Sequence, residues 1–433
     1  MDQTTASIVV VVTMLLMLGT GIWVALALAG VGFVAMALFT TRPVGMVMAT
    51  NIWGASTSWT LTALPLFIWM GEILFRTRIS SDMFKGLAPW TGWLPGRLMH
   101  VNIVGCTIFA AVSGSSAATA ATIGRMTIPE LTRRGYDPMM IVGSLAGAGT
   151  LGLLIPPSII MIVYGVAADV SIARLFIAGV IPGIVLTGLF MLYVGGWSLL
   201  NPDRVPPREA RQSFAEKIRD TGSLIPVMLL IVGVLGSIYA GIATPTEAAG
   251  IGVLGSLVLA MVTGTMSWAT FRDSVMGAAH TSCMIGFILA GAAFLTVAMG
   301  YTGIPRLLAE WITSMQLSTA SLLVVLTLFF IVMGCFLDGI SMVVLTTSVI
   351  LPMVQNAGID LLWFGIYIII VVEMAQITPP VGFNLFVLQS MTGKSIFTVG
   401  KASLPFFVMM ILMVALLWIF PGMVTWLPSL MIG

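Results

Sequence analysis

Charge is what this sequence has least of. Only 8% of its 433 residues are charged, against 59% apolar, and the mean hydropathy is +1.10. A water-soluble chain carries about 25% charged residues, so a soluble globular domain is excluded and lipid is the main solvent. A formal net charge of +2 gives no electrostatic basis for a nucleic-acid partner. The three cysteines, Cys106, Cys283 and Cys335, lie far apart inside apolar runs. That excludes a disulfide framework and a cysteine metal site. The two histidines, His100 and His280, complete no nucleophile–base pair or metal cluster, so an enzyme is not expected. The opening Met1-Asp2-Gln3-Thr4 lacks the basic region of a cleavable leader, and the first apolar run reads as a retained spanning helix.

What is present is apolar sequence with regular interruptions. The 46 glycines suit close helix packing in a membrane, and the 31 methionines suit an adaptable apolar interior. The fold class expected is an all-α polytopic membrane protein. Spans are expected at roughly 7–19, 22–39, 60–75, 139–165 and 175–198, then at roughly 222–241, 246–264, 277–299, 361–389 and 403–420. Two further apolar stretches are broken by small residues. Ser113-Gly114-Ser115-Ser116 interrupts 98–131, and Asp338-Gly339-Ile340-Ser341 interrupts 319–355. Arms of about 15 residues are too short to cross comfortably, so each stretch reads as a re-entrant helical hairpin.

The two halves repeat one another. Leu154-Ile155-Pro156-Pro157-Ser158 and Ile377-Thr378-Pro379-Pro380-Val381 stand 223 positions apart, and the same shift pairs Pro129 with Pro352, Gly135 with Gly358 and Asp137 with Asp360. A double proline removes two backbone donors and bars the α conformation just before it, so a helix carrying one opens in the middle. Unpaired backbone at membrane depth is tolerated only where protein or a cavity surrounds it. Matching interruptions in two halves point to the central site of a transporter. The domains expected are a first repeat over 1–200, a connector over 201–220 and a second repeat over 221–433.

Five crossings per half is an odd number, so the two repeats are expected to lie inverted. With both termini outside, 14 of the 18 basic residues face the cytoplasm, leaving Arg42, Arg174 and Arg306 outside and Arg125 within the first hairpin. The positive-inside rule favours that orientation. It opens the first hairpin toward the cytoplasm and the second toward the opposite face. The connector, with Pro202-Asp203-Arg204-Val205-Pro206-Pro207-Arg208, is non-membrane. Its later part, Glu209 to Arg219, reads either as a solvated linker or as an amphipathic helix on the anionic inner leaflet.

Each broken helix exposes free carbonyls and a helix C-terminus, which suit Na⁺, and a helix N-terminus, which suits a carboxylate. Candidate Na⁺ ligands are Ser113, Ser115, Gly149, Thr150 and Pro156 in the first half. In the second half they are Asp338, Gly339, Glu373, Thr378 and Pro379. Ser116 and Ser341, just past the two tips, are candidates for substrate as well. Ionisable residues at membrane depth default to functional candidates, and the clearest are Glu72, Arg125, Asp338 and Glu373. Arg125 reads as a partner for a substrate carboxylate or as a snorkelling side chain. Asp338 caps its helix as readily as it binds a cation.

Four motifs resemble the large membrane subunit of tripartite ATP-independent periplasmic (TRAP) transporters. They are Ser113 to Thr119, Arg133 to Tyr136, Gly241 to Ala248 and Ile377 to Asn384. The resemblance covers nearly the whole chain. It implies an ion-coupled elevator transporter that takes an organic acid from a periplasmic binding protein, works with a small four-helix membrane subunit and resides in the bacterial inner membrane. With no additional four-helix segment at either end of this sequence, that subunit is expected as a separate polypeptide. The resemblance also brings Thr119 and Asn384 into the substrate set. Glu373 matches an acid common in the family, whereas many members carry Asp at the position of Thr119. Three functional classes remain: a Na⁺-driven anion importer fed by a binding protein, a dicarboxylate-type transporter without one, and a channel. Paired interior acids and two breaks favour a gated site over a pore.

Overall fold

The computed structural model describes residues 3–430 other than 78, 208–212, 304–309, 311–314, 316–317, 335–336 and 380–381. Helices joined by turns make up these residues, with no strand among them.

Capping chemistry sets the elements around the interior. The first hairpin is Met99–Ser113 and Ser116–Arg133, turned by Gly114 at φ +58°. Glycine pays no side-chain penalty in that left-handed region, and Ser115 then caps the outgoing arm by accepting from the amide of Ala118. The first broken helix starts at Pro138, with Asp137 accepting from Met139 and Met140 amides at 2.9 Å each. It ends its first half at Gly149, adds a turn over Leu151–Leu154 and resumes as Ile159–Ala168 after Ser158 caps it. Its two parts meet at 43°.

The second half repeats this plan. Thr319–Met333 and Gly339–Asn356 form its hairpin arms, with Asp338 capping the outgoing arm. Asp360 caps Leu361–Gln376, and the chain resumes as Phe383–Thr392. Shifting 116–133 by 223 residues gives 339–356, the outgoing arm of the second hairpin. The paired turn glycines, Gly135 and Gly358, are both left-handed at φ +80° and +71°.

The halves exchange arms. Ser116–Arg133 packs against Phe383–Thr392 of the other half, and Gly339–Asn356 packs against Ile159–Ala168. Outside this core, Val24–Phe39 lies against Trp268–Thr302, and Ala63–Phe75 lies against Pro245–Val262. Helices 172–200, 245–262, 268–302 and 396–419 are each long and apolar enough to cross a membrane. Trp23, Trp53, Trp59, Trp93 and Trp268 are 67% to 78% exposed, as in the aromatic belts at membrane boundaries.

Several expected boundaries change. The span expected at 60–75 is preceded by a further helix, Val44–Ser56, and the pair bends by 50° around Thr57 and Ser58. There, the Thr57 hydroxyl bonds back to the Trp53 carbonyl and Ser58 turns extended. Its counterpart in the second half is unbroken, a 35-residue helix over Trp268–Thr302 rather than 277–299. Helices Ile79–Thr91 and Gly422–Ser429 were not expected. The connector carries a helix over Phe214–Thr221, capped by a reciprocal box between Ser213 and Glu216, while 209–212 of the expected segment lie outside the described residues.

Candidate transport site at two paired breaks

The first hairpin tip is seated on the first break. The Ile159 amide donates to the Gly114 carbonyl at 3.3 Å. A Cβ on Gly152 would lie 2.6 Å from the Ser115 carbonyl oxygen, and one on Gly149 would lie 2.9 Å from Ala120 Cβ. Only glycine allows approach this close. The hydroxyls here are spoken for. Ser113 and Thr119 share a hydrogen bond of 2.6 Å. Ser115 accepts from the Ala118 amide at 3.4 Å. Thr150 donates to the Gly147 carbonyl at 2.6 Å, under the Met410 sulfur at 3.8 Å. Ser158 donates to Leu153 at 2.5 Å. Pro156 is buried and joined to Pro157 by a cis bond.

The second break is finished differently. Glu373 is 1% exposed and neither carboxyl oxygen has a hydrogen-bond partner. The Ser116 hydroxyl is a polar neighbour of its carboxyl. One turn on, the Gln376 amide nitrogen is unpartnered, as are both polar atoms of the fully buried Asn384. The second tip rests on the same turn, since a Cβ on Gly339 would lie 2.8 Å from Val372 and 3.5 Å from Gln376 Nε2. Both tips therefore reach the end of helix Leu361–Gln376. Some groups are satisfied. Thr378 donates to the Met374 carbonyl at 2.7 Å, and Ser403 donates to the Ile377 carbonyl at 3.1 Å. Pro379 lies against Gly400, and Ser341 is 1% exposed. Pro380 and Val381 of the motif lie outside the described residues.

Two charged candidates stand elsewhere. Asp338 is occupied as a cap, accepting from Ile340 and Ser341 amides at 3.1 Å each. Arg125 is exposed, and its guanidinium sits over the Phe75 ring, 5.5 Å from the centroid. It lies nine residues past Ser116, about 13 Å along the helix from the tip, and no carboxylate pairs with it among the described residues. Glu72 is ion-paired with Arg76 against Gly277. Glu247 closes a capping box with Thr244 at a helix start. Sequence reading passed over Gln376 and Thr122. Both are buried, the Gln376 amide nitrogen and the Thr122 hydroxyl have no hydrogen-bond partner, and each follows a chosen candidate, Glu373 or Thr119, by one helical turn.

Each orphaned buried polar group costs about 1–3 kcal/mol, and a buried carboxylate without a partner costs more. Such a cluster persists where a ligand completes it. A carboxylate, amides and hydroxyls close to two helix ends suit a weakly held cation together with a small polar ligand. Among the described residues no group of three or more His, Cys, Asp or Glu could hold a tightly bound metal.

Two hairpins and two broken helices meeting inside a multi-pass helical bundle are the architecture of a membrane transporter. The family model described as "Tripartite ATP-independent periplasmic transporter, DctM component" matches residues 9–423. The chain belongs to that family, whose members are the large permeases of TRAP transporters. The C4-dicarboxylate TRAP transporter large permease of Vibrio cholerae is 32% identical over 396 residues, covering 87% of each chain. The ectoine/5-hydroxyectoine TRAP transporter large permease of Ruegeria pomeroyi is 32% identical over 431 residues, covering 98% of this chain and 99% of that one. The sialic acid TRAP transporter permease of Haemophilus influenzae is 29% identical, covering 87% of this chain and 61% of that one. A solved transporter of Alcanivorax borkumensis superposes with a TM-score of 0.61 at 16% identity, covering 95% of this chain and 98% of that one. That likeness is one of fold.

Proposed function

We propose that this large permease imports a small organic anion across the bacterial inner membrane, driven by a Na⁺ gradient. The substrate arrives from a periplasmic binding protein, and a small four-helix membrane subunit completes the transporter. The two halves lie inverted, both termini face the periplasm and the connector is cytoplasmic, which the basic-residue asymmetry supports.

The observation that carries the reading is that Glu373 and Gln376, beneath the two hairpin tips, and the fully buried Asn384 have polar atoms without hydrogen-bond partners. Na⁺ compensates the Glu373 carboxylate, and the amides of Gln376 and Asn384 with Ser116 and Ser341 hold the substrate. Relatives named for C4-dicarboxylates, sialic acid, ectoine and isethionate support an acidic substrate. Asp338 and Thr150 act in shaping the site, since each side chain is already committed to backbone. The hairpins and broken helices move as one body against the outer helices, as an elevator.

Uptake in vesicles holding this chain, the small subunit and the loaded binding protein tests the reading. Saturable uptake that collapses without a Na⁺ gradient, or without either partner, is expected. Full uptake by this chain alone, or uptake indifferent to Na⁺, would overturn it.

A further inference from the structure

Outside the transport site, the connector helix Phe214–Thr221 is clasped to helix Ile79–Thr91. Trp90 Nε1 donates to the Thr221 hydroxyl at 2.7 Å, its ring meets Phe214 edge-on at 6.3 Å, and Lys217 lies 5.7 Å over it. Leu224 fills the notch at Gly86, where a Cβ would come within 2.6 Å of its Cγ. The inner side of the clasp is thus packed. Its outer side is apolar and bare, with Phe214 68%, Ile218 52%, Trp90 40% and Trp93 67% exposed.

That bare face continues into a spanning segment. Ile225, Leu229 and Val232 of helix Ile225–Tyr239 are 53%, 66% and 62% exposed. Leu229 and Val232 follow Ile225 by four and seven residues, a spacing that keeps one helical face. A 57° bend separates the two helices, so the stripe turns from across the bilayer to along its boundary. Charge supplies no attraction of its own, because Lys217 and Arg219 are matched by Glu216 and Asp220 within the helix.

We propose that helices Ile79–Thr91 and Phe214–Thr221 form one platform lying in the interfacial zone of the bilayer. Lipid occupies its outer face, and apolar insertion of Phe214, Ile218, Trp90 and Trp93 holds it there. Amphipathic helices with aromatic and branched side chains on one face bind membranes in this way, and tryptophan favours the headgroup level. The sequence-based alternative of attraction to an anionic leaflet is replaced by insertion indifferent to lipid charge. Because the platform faces lipid whatever the substrate, its test is independent of the transport assignment.

The experiment places an environment-sensitive fluorophore on single cysteines, F214C, E216C, I218C and D220C in turn, with the three native cysteines replaced by alanine. The complete transporter is reconstituted with its small subunit into vesicles containing brominated phosphatidylcholine. Quenching at positions 214 and 218 is expected to exceed that at 216 and 220 by about three-fold or more, as for one buried helical face. It should be unchanged when phosphatidylglycerol replaces part of the phosphatidylcholine. Equal quenching at all four positions, or quenching that rises with anionic lipid, would overturn the proposal. So would a position 218 shielded from both lipid and aqueous quenchers, since a protein partner would then cover the face. If the cysteine-free background does not assemble, hydrogen exchange with native cysteines decides. Ile218→Glu is expected to speed exchange across 214–221 and Arg219→Gln, on an exposed side chain outside the capping box, to leave it unchanged. Equal exchange in both variants would refute the insertion.

Discussion

At the first break the Thr150 hydroxyl donates to a carbonyl of its own helix, the Ser158 hydroxyl donates across the break to Leu153, and the Ile159 amide reaches across to Gly114 of the hairpin tip. At the second break, 223 residues on, the Glu373 carboxyl, the Gln376 amide nitrogen and the Asn384 amide make no hydrogen bond. Thr150 and Glu373 are equivalent positions under that shift. The backbone plan is shared and the finish is not. A break whose polar groups are internally satisfied is a stable seat for a hairpin. One whose groups are buried and orphaned carries a cost of about 1–3 kcal/mol for each group, which a bound ligand relieves. The repeat therefore supplies the geometry twice, and the second copy leaves buried polar groups without hydrogen bonds.

The sharpest way to break this comparison is to change the equivalent residues. Glu373→Gln should reduce uptake more than about a hundred-fold, because losing the charge that compensates a buried cation costs about 3–5 kcal/mol. Thr150→Val should cost uptake less than about five-fold, about 1 kcal/mol for one helix-directed hydrogen bond. Initial rates in vesicles measure both, and similar losses would remove the asymmetry.

Next in size are the hydroxyls flanking each break. Thr378 gives its proton to Met374 as Thr150 does to Gly147, but it stands two residues past the orphaned Gln376 with its lone pairs still able to accept a cation. Thr378→Val should therefore weaken the apparent Na⁺ affinity by roughly 1–3 kcal/mol. Ser115→Ala should act on stability instead, by about 1 kcal/mol, since its hydroxyl caps a helix. Uptake at graded Na⁺ with thermal unfolding of the same samples separates the two effects. An unchanged Na⁺ dependence in Thr378→Val would move the ion away from the second break.

Backbone fit gives a comparable effect on both sides. A Cβ on Gly152 would meet the Ser115 carbonyl at 2.6 Å and one on Gly382 the Gln376 carbonyl at 2.5 Å. Gly152→Ala and Gly382→Ala should each destabilise by about 1–3 kcal/mol, because backbone atoms cannot move aside as side chains do. Thermal shift in detergent reads both, and a neutral Gly152→Ala would mean that the first tip is not seated as described.

The smallest effect belongs to Arg125. Stacked on Phe75 and away from the tips, it contributes about 0.5–1 kcal/mol as an exposed cation–π pair. Arg125→Gln should leave uptake within about five-fold of the parent. Abolished uptake with normal folding would return Arg125 to the substrate site.

The sequence made much of this legible. Two Pro-Pro breaks and two small-residue tips are written as departures from apolar periodicity, so they survive without coordinates, and the 223-residue register located their partners. Asp137 and Asp360 were visible as a pair, and both prove to be helix caps. Helices Val44–Ser56 and Ile79–Thr91 were not legible, because their polar residues obscure an apolar span. Nor was the division of labour at the breaks. Sequence shows which residues carry oxygen, but whether a hydroxyl is spent on its own helix depends on rotamer and packing. Ser113, Thr119 and Thr150 looked as available as Asn384, and only the contacts separate them. Gln376 escaped notice because a lone amide in an apolar helix has no signature until its neighbours are known.

Equilibrium binding of radioactive Na⁺ to purified transporter tests the central claim without involving substrate or partners. Measured side by side, Glu373→Gln should lose saturable Na⁺ binding while Thr150→Val retains it near the parent affinity. Equal binding by the two variants, or loss confined to Thr150→Val, would contradict the account.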